Sequence, residues 1–276
     1  MGRYDDFNAY EREMWSSPRA AAYDRGLTGL TSYTAEALLD AVAADTGLRV
    51  LDVGTGPGVV AARAAARGCE VVGVDVSPEM LAIARSRVDG DFREGSAEAL
   101  PVGDAEVDAV VGNFIVLHLG HPERLAAETA RVLRPGGWCA FTVWTTGDRN
   151  RVLGVFHDTL TRAAIAPPDD IPDGPLSVQF ADHDRFRSLL ADAGLVDIAV
   201  REITWAHTID PDAWWDATVA STPRTGALIS RQPAAAQTRL RGAYDALVRE
   251  PPAVVHADGS ITLPAAAVIA SGRRAE

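Results

Sequence analysis

Short apolar runs alternate with helical patterns between Arg49 and Trp144. Several runs are rich in valine, as strands are when both faces of their sheet are covered. This alternation is typical of strands that are joined by crossover helices in a parallel sheet. The strand candidates are RVLDV (49–53), EVVGVD (70–75), DFREG (91–95), VDAVVGNF (107–114) and WCAFTVW (138–144).

Helix start and stop signals lie between these runs. Ser77 precedes Pro78 at a first helical position and is expected to cap that helix. The run RPGG (134–137) is expected to end the third helix. Helices are therefore predicted over 58–67, 78–87 and 122–133.

The pattern changes after Trp144. A helical piece and the turn-rich stretch APPDDIPDGP (166–175) lie within 149–180, and 210–250 is largely helical, with prolines at 211, 223 and 233. The remaining predicted elements are a helix over 184–193 that ends at Gly194, a strand over 196–205 and a closing strand over 261–270. The simplest assembly is an α/β sheet whose last strands are interrupted by a helical insertion.

The composition argues against several classes of chemistry and of binding partner. The 276 residues carry 38 acids against 26 bases, a formal charge of −12, so a nucleic acid would be repelled by the average field. All 26 bases are arginine, which excludes Schiff-base chemistry and a phosphate-loop lysine.

The chain also has no sign of a disulfide framework, a membrane partner or a metal site. Cys69 and Cys139 each open an apolar run and are expected to be buried thiols. No apolar run approaches the length that spans a bilayer, and the first ten residues do not resemble a secretory signal. No histidine, cysteine or carboxylate spacing predicts a metal ligand set. We therefore expect a cytoplasmic protein in a reducing compartment.

The strongest local signal is VLDVGTGPG (50–58), in which a strand ends in an acid and a glycine-rich turn opens a helix. Gly54 and Gly56 have no Cβ, so a ligand can approach the main chain there. Asp75 ends the next strand, where a carboxylate can accept hydrogen bonds from both ribose hydroxyls. A purely structural turn and a strand-end cap are the alternative interpretations.

The spacing of the glycines distinguishes between nucleoside cofactors. Val59 stands where a dinucleotide-binding turn has its third glycine, so the turn fits a pyrophosphate poorly. In this order and spacing, VLDVGTGPG, VVGVDVSPEML, EGSAEALP and RVLRPGG resemble the class I S-adenosylmethionine-dependent methyltransferases. The similarity is closest to the small-molecule branch, with its ubiquinone-type and natural-product enzymes. It spans roughly 49–144, continues weakly through DRFRSLLADAGLVDI and ITLPAAAVIASGRR, and leaves 149–180 and 207–255 unassigned.

The resemblance implies a Rossmann-like, mostly parallel sheet of seven strands with helices on both faces and a helical lid. The chain then divides into an N-terminal helical cap (1–35), a cofactor-binding core (36–147), a lid segment (148–181), a core helix and strand (182–205), a helical lid insertion (206–258), and a closing strand and tail (259–276).

The resemblance also assigns roles to residues that match the motifs. Gly54, Thr55, Gly56 and Gly58 would surround the methionine portion of S-adenosylmethionine, with Asp52 supporting the turn. Asp75 would hold the ribose.

The adenine and the amino group would be held by later motifs. Val76 and Met80 would pack near the adenine, and the Ala97 amide would meet the ring. Ser96 stands where the family usually has an Asp, and its hydroxyl reaches less far and carries no charge. Asn113 would supply main-chain contacts to the amino group, with a plain strand-end turn residue as the alternative.

Histidine is the natural base for a hydroxyl acceptor or an acidic carbon. His118 follows the fourth strand at the carboxyl edge, where ligands gather in open α/β sheets. It is a candidate base or acceptor-positioning residue, with a cap, a cofactor contact or packing as the alternatives. His157 and His207 lie in the unassigned segments and are further catalytic candidates, whereas His121 is expected to start a helix.

Aromatic residues outside the core have two interpretations. They anchor helices to the sheet, or some line an apolar pocket for an aromatic acceptor. Tyr23 and Tyr33 are placed to close over the cofactor. The remaining members of this set are Trp15, Phe156, Trp205, Trp214 and Trp215.

The sequence thus predicts methyl transfer from S-adenosylmethionine to a small organic acceptor in specialised metabolism, with oxygen ahead of nitrogen and carbon. The alternatives are a protein that binds S-adenosylmethionine without methylating, a nicotinamide-dependent oxidoreductase, and a methyltransferase of proteins or nucleic acids.

Overall fold

A twisted sheet forms the centre of the molecule in the computed structural model, which describes residues 4–15, 18–165, 168, 171–172, 174–175 and 178–276. The strands in these ranges follow the order β3-β2-β1-β4-β5-β8-β6, with β7 paired to β8. The first five are parallel, and β8 pairs antiparallel with its neighbours. Their bounds are β1 Arg49–Val53, β2 Glu70–Asp75, β3 Asp91–Glu94, β4 Val107–Asn113, β5 Leu133–Trp144, β6 Leu195–Ile209, β7 Val254–Val255 and β8 Ile261–Arg274. The predicted fold class is confirmed, with the two-residue β7 as an eighth strand.

The predicted helices of the core are also present. Ser77 caps α6 because its Oγ accepts a hydrogen bond from the Met80 amide at 3.1 Å. The helices are α1 Asp5–Trp15, α2 Arg19–Gly26, α3 Thr28–Thr31, α4 Ala35–Ala41, α5 Val59–Ala66, α6 Pro78–Arg87, α7 Pro122–Val132, α8 Arg151–Arg162, α9 His183–Asp192, α10 Pro211–Ser221, α11 Pro223–Ser230 and α12 Ala234–Leu247. Five of the ten residues of the predicted turn-rich stretch 166–175 lie outside the described residues.

The alternation of side chains along the strands creates a core on each face of the sheet. In β1, Leu51 and Val53 join a cluster that includes Phe186 of α9. Val50 points to the other face and joins a cluster that includes Leu39 of α4. This period of two is why a strand that is covered on both faces is almost entirely apolar.

β6 and β8 continue past the parallel sheet as a ribbon, and the short β7 pairs with β8 at its far end. β8 pairs with β5 only from Ala267 to Arg273, but it pairs with β6 from Ile261 onwards. The ribbon packs beneath α8, α10 and α12 in a third apolar cluster. Both strands are longer than predicted. The added residues keep the alternation of inward-facing and outward-facing side chains, with polar residues among the outward-facing ones.

RPGG follows the end of the third helix as predicted, but it lies within β5 and not before the strand, which was predicted only over 138–144. α7 ends at Val132, and β5 begins at Leu133. Leu133 pairs with Val107, but Trp138 pairs with Ala109, so 134–137 protrude from the ladder. Proline lacks a ladder donor, and a strand accommodates it at such an irregularity.

Pro211 and Pro223 occupy first-turn positions of α10 and α11, and Pro233 directly precedes α12. The predicted helical segment 210–250 is therefore three helices, since proline is favoured where a helix starts. None of the helices in the described ranges has both the length and the apolar character to cross a membrane.

Two glycines of the N-terminal segment provide a test of its packing. A Cβ on Gly26 would lie 2.5 Å from the Ala217 Cβ in α10, whereas a Cβ on Gly29 meets nothing within 4 Å. We expect Gly26→Ala to lower the free energy of unfolding by about 1–3 kcal/mol. Gly29→Ala should be neutral or stabilising by up to about 1 kcal/mol. Urea unfolding of both variants checks this, and equal effects would contradict the described contact of α2 with α10.

Candidate active site

A cavity lies at the carboxyl ends of β1, β2 and β4, beneath α1 and α2. Side chains of these helices form one part of its wall, and the turns that follow the strands form the other. The lining residues on the sheet side include Asp52, Gly54, Thr55, Gly56, Asp75, Val76, Met80, Ser96, Ala97, Asn113, Phe114 and His118; those on the helix side include Asn8, Glu11, Arg12, Trp15 and Tyr23. One site thus gathers the predicted cofactor residues except Gly58.

The glycine-rich turn leaves its main chain open to the cavity. Gly56 has a φ of +52°, and among the described residues a Cβ there would have one neighbour within 4 Å, the Gly54 carbonyl oxygen at 3.9 Å. Gly58 has a different function, since a Cβ there would lie 2.9 Å from Ala84 of α6. Gly58 thus lets α5 start close against α6, and Gly56 leaves space for a ligand.

Asp52 supports this turn through one carboxylate oxygen and leaves the other unused. Its Oδ2 accepts hydrogen bonds from the Thr55 hydroxyl at 2.8 Å and the Ala61 amide at 3.2 Å. Its Oδ1 is buried and has no partner among the described residues. Burial raises the pKa of Asp52 to about 7, against the opposing effect of these two hydrogen bonds. An unpaired buried acceptor at a cavity wall is suited to a cationic donor.

Asp75 links the tip of β2 to the glycine-rich turn. Its Oδ2 accepts from the Gly56 amide at 2.8 Å, and its Oδ1 accepts from the Ser77 amide at 2.9 Å. The pKa of Asp75 is raised overall, because the effect of burial exceeds the opposing effects of backbone hydrogen bonds and the nearby His118. A carboxylate has about four acceptor sites, so both oxygens can still accept from a ligand's hydroxyls.

The loop after β3 is held by short polar contacts. Ser96 Oγ accepts from the Glu98 amide at 3.1 Å. The Glu98 carboxylate accepts from Asn8 Nδ2 at 2.9 Å and from the His121 amide at 2.8 Å. The serine that replaces the usual Asp therefore shapes this loop, and Glu98 binds the loop to α1.

Asn113 has a structural role that the sequence did not reveal. Its Oδ1 accepts from the hydroxyls of Thr34 and Thr142, both at 2.7 Å, and its Nδ2 donates to the Thr31 carbonyl at 2.9 Å. The side chain thus ties the N-terminal segment to β5. The expected cofactor contact of Asn113 is through its main chain, which this network does not use.

Relatives of known class resemble the part of the chain that carries these turns. Residues 51–141 match the methyltransferase domain family. A demethylmenaquinone methyltransferase of Renibacterium salmoninarum is 32% identical over 127 residues, which cover 43% of this chain and 54% of that protein. A probable S-adenosylmethionine-dependent methyltransferase of Mycobacterium tuberculosis is 31% identical over 110 residues, which cover 40% of this chain and 34% of that protein. The matched region thus spans about half the length of these relatives or less.

The fold has a counterpart among solved structures. The YcgJ protein of Bacillus subtilis superposes with a TM-score of 0.56 at 21% identity, over 88% of this chain and 99% of that one. Residues 51–141 are therefore similar to methyltransferase domains. The predicted resemblance and its cofactor, S-adenosylmethionine, are both confirmed.

The residues of the cavity wall fit that cofactor. The unpaired Asp52 Oδ1 is a buried acceptor of the kind that an ammonium group requires. The open main chain at Gly56 leaves room beside it, and Asp75 offers acceptors for the ribose hydroxyls. The wall also carries Glu11 and Glu98 against one guanidinium, Arg12, so its acidic character suits a sulfonium cation.

Two predicted catalytic histidines lie outside this cavity. His157 is exposed on α8. His207 lies on the β6 ribbon, where its ring contacts Tyr33 and Trp214, and where burial lowers its pKa. The ribbon and α8 belong to the third apolar cluster, and neither histidine lines the cavity wall. Only His118 of the three candidates does.

Most of the aromatic residues outside the core anchor helices. Phe156 stacks on Trp215 and on Tyr244, with ring centroids 5.8 and 5.1 Å apart. Tyr33 stacks on Trp205 at 5.5 Å and does not line the cavity, contrary to its expected position over the cofactor. The cavity does receive Trp15 and Tyr23.

Sequence reasoning missed the contribution of α1 to the site. The buried positions of α1 are Phe7, Tyr10, Glu11 and Met14, which form one face at helical spacing. A glutamate on that otherwise apolar face is the signal that could have identified Glu11, because buried carboxylates are rare unless paired.

The raised pKa of Asp52 predicts how stability depends on pH. The folded chain binds this proton more tightly than the unfolded chain, so ionising Asp52 opposes folding as pH rises from about 4 to 7. We expect Asp52→Asn to gain stability relative to wild type over this range. The gain should level off above pH 7 at a few kcal/mol, on the order set by the pKa shift. Chemical denaturation from pH 4 to 8 measures the difference. Asp216→Asn, at an exposed position, is the control, and a difference that does not vary with pH would contradict the assignment.

Proposed function

We propose that this chain transfers a methyl group from S-adenosylmethionine to a small organic acceptor in specialised metabolism, with oxygen as the first acceptor atom and nitrogen or carbon behind it. The observation that carries the proposal is the single cavity in which Asp52, Asp75, the open turn at Gly56 and His118 meet beneath α1. The setting proposed is the cytoplasm.

The proposed assignment of cofactor contacts follows the walls of the cavity. Asp75 would accept from the ribose hydroxyls, and Asp52 would accept from the ammonium. Val76 and Met80 would pack beside the adenine, and the amide of Ala97 would meet its ring. The proposed cofactor residues also include Tyr23, Gly54, Thr55, Gly56, Gly58, Ser96, Asn113 and His118, with Gly58 acting through the packing of α5.

The rest of the wall favours a small and partly apolar acceptor. Trp15, Phe114, Ile115 and Leu119 contribute apolar surface to the same cavity as His118. Small-molecule sites combine such surfaces with a few placed polar groups. The acidic wall and the formal charge of −12 disfavour a nucleic-acid acceptor.

Alignment is the main contribution that the protein would make to the reaction. When bound, the cofactor supplies a methyl group on a sulfonium, which is already activated for displacement. Holding donor and acceptor in line is worth on the order of 7–11 kcal/mol in well-oriented systems. For a hydroxyl acceptor, His118 would take the proton as the oxygen attacks, and a positioned base contributes about 100- to 10,000-fold.

Asp75→Ala is the test of the cofactor site. We expect the affinity for S-adenosylhomocysteine to fall by about tenfold or more, or at least ~1.4 kcal/mol, because charge-assisted hydrogen bonds to the ribose are lost. Titration calorimetry measures the affinity. Asp91→Ala, on the neighbouring strand β3 and outside the cavity wall, is the matched control. Unchanged binding in Asp75→Ala would remove the ribose assignment.

His118→Gln tests the reaction itself. Wild-type protein is incubated with S-adenosylmethionine and a library of small phenols, alcohols and amines, and mass spectrometry detects products that gain a methyl group. With a hydroxyl acceptor, His118→Gln should lower kcat by about 100-fold or more while S-adenosylhomocysteine binding persists. His121→Gln is the control, since His121 precedes α7 outside the cavity wall. Cofactor binding with no methylated product across such a library would favour the non-methylating alternative.

A further inference from the structure

A buried carboxylate from the N-terminal helix contacts the candidate base. Glu11 Oε2 lies 2.9 Å from His118 Nδ1 and accepts a hydrogen bond from Trp15 Nε1 at 3.0 Å. Glu11 is only 5% exposed. The Trp15 ring also meets the His118 ring edge-on, with centroids 5.2 Å apart. Glu11 and Trp15 thus confine the imidazole from α1, while His118 itself follows β4.

This contact decides which ring nitrogen carries the proton. A carboxylate only accepts hydrogen bonds, so the proton of a neutral His118 belongs on Nδ1. Nε2 is then a free acceptor, and no described residue hydrogen-bonds to it. Because His118 lines the cavity, a bound acceptor molecule can approach this ring. The partner of one ring nitrogen thereby sets the chemistry of the other.

We propose that Glu11 is a positioning residue that holds His118 in the Nδ1–H tautomer, and that the acceptor is accordingly a hydroxyl compound whose proton Nε2 removes. The inference rests on the proposed function. The hydroxyl proton passes to Nε2 as the oxygen forms its bond to the methyl carbon. The electron pair of the carbon–sulfur bond goes to sulfur, and the Glu11 carboxylate balances the imidazolium charge. Other charged side chains that line this cavity are Arg12, Asp52, Asp75 and Glu98.

Docking of α1 brings Glu11 to its position. Asn8 Nδ2 donates to the Glu98 carboxylate at 2.9 and 3.0 Å, and Asn8 Oδ1 accepts from the Gly120 amide at 2.6 Å. These contacts lie one helical turn before Glu11 and bind the same two loops that border His118. The base and its partner are therefore assembled only when α1 is docked.

The tautomer can be measured without cofactor or acceptor. Protein labelled with ¹⁵N-histidine is examined by long-range ¹H–¹⁵N correlation NMR at a pH where His118 is neutral, and the signal is assigned with His118→Gln. Wild-type His118 should show the Nδ1–H tautomer. Glu11→Met, which removes the acceptor at similar size, should shift it toward Nε2–H. Glu11→Gln keeps an acceptor oxygen and should largely retain Nδ1–H.

Glu123→Met is the matched control, because Glu123 contacts the neighbouring His121 Nδ1 at 3.2 Å on an exposed surface. That variant should leave the His118 signal unchanged. An Nε2–H tautomer in the wild type, or an Nδ1–H tautomer that persists in a folded Glu11→Met protein, would overturn the proposal. If Glu11→Met does not fold, the wild-type measurement and Glu11→Gln still decide it.

Kinetics separate positioning from a merely structural role. Glu11→Met should lower kcat on a hydroxyl acceptor by at least about tenfold with little change in S-adenosylhomocysteine affinity. Added to His118→Gln it should cost nothing further, because both changes act on one base. Independent, multiplying losses would contradict the pairing. Failure to find any methylated product, with the expected tautomer present, would count against the proposed function and not against the pairing.

Discussion

The hydrogen bond from the Gly56 amide to the Asp75 carboxylate is the contact on which the site depends. It joins the turn after β1 to the tip of β2, and it exists because parallel register brings the carboxyl ends of neighbouring strands to one edge. The turn is held in place by further bonds from the amides of Gly54 and Thr55 to the Val74 carbonyl. A nucleoside would therefore meet a surface that is already formed, with no ordering cost at the turn.

The N-terminal helices complete this surface from the opposite side. Their links to the sheet are made by side chains that sequence reasoning assigned to other roles or did not notice. Asn113 holds Thr31 and Thr34, Glu98 holds Asn8, and His118 contacts Glu11. The same residues that border the cavity thus attach its cover. A substitution at one of them would change both the shape of the cavity and the position of α1.

Local signals predicted the parts of the structure that local chemistry determines. VLDVGTGPG and the strand that ends at Asp75 were placed correctly, since each is an apolar run with a clear polar or glycine-rich boundary. The start of α6 followed from Ser77 and Pro78. The extent of β6 and β8 could not be predicted, because their ladder joins residues far apart in sequence. The same holds for Glu11, whose partner lies 107 positions away.

Long-range topology also decides which of the candidate histidines lines the cavity. His118 was predicted at the carboxyl edge after the fourth strand, whereas His157 and His207 lay in unassigned segments, and the sheet topology shows which of the three reaches the cavity. His118 follows β4, whose end borders the cavity, whereas the ribbon carries His207 away from it. Which loops share one edge of the sheet is a property of strand order, which no short motif encodes.

The position of β8 between β5 and β6 has a consequence for how the protein acquires its structure. β8 is synthesised after every helix of the insertion. It must nevertheless insert between β5 and β6 and form hydrogen bonds with both strands. Until it arrives, β5 has an open edge and the long β6 has no neighbour in the sheet. Contacts of such long sequence separation form slowly, so the unpaired backbone groups of β5 and β6 would stay exposed in the nascent chain. The sheet is therefore complete only after the C-terminal strand β8 has paired with both neighbours.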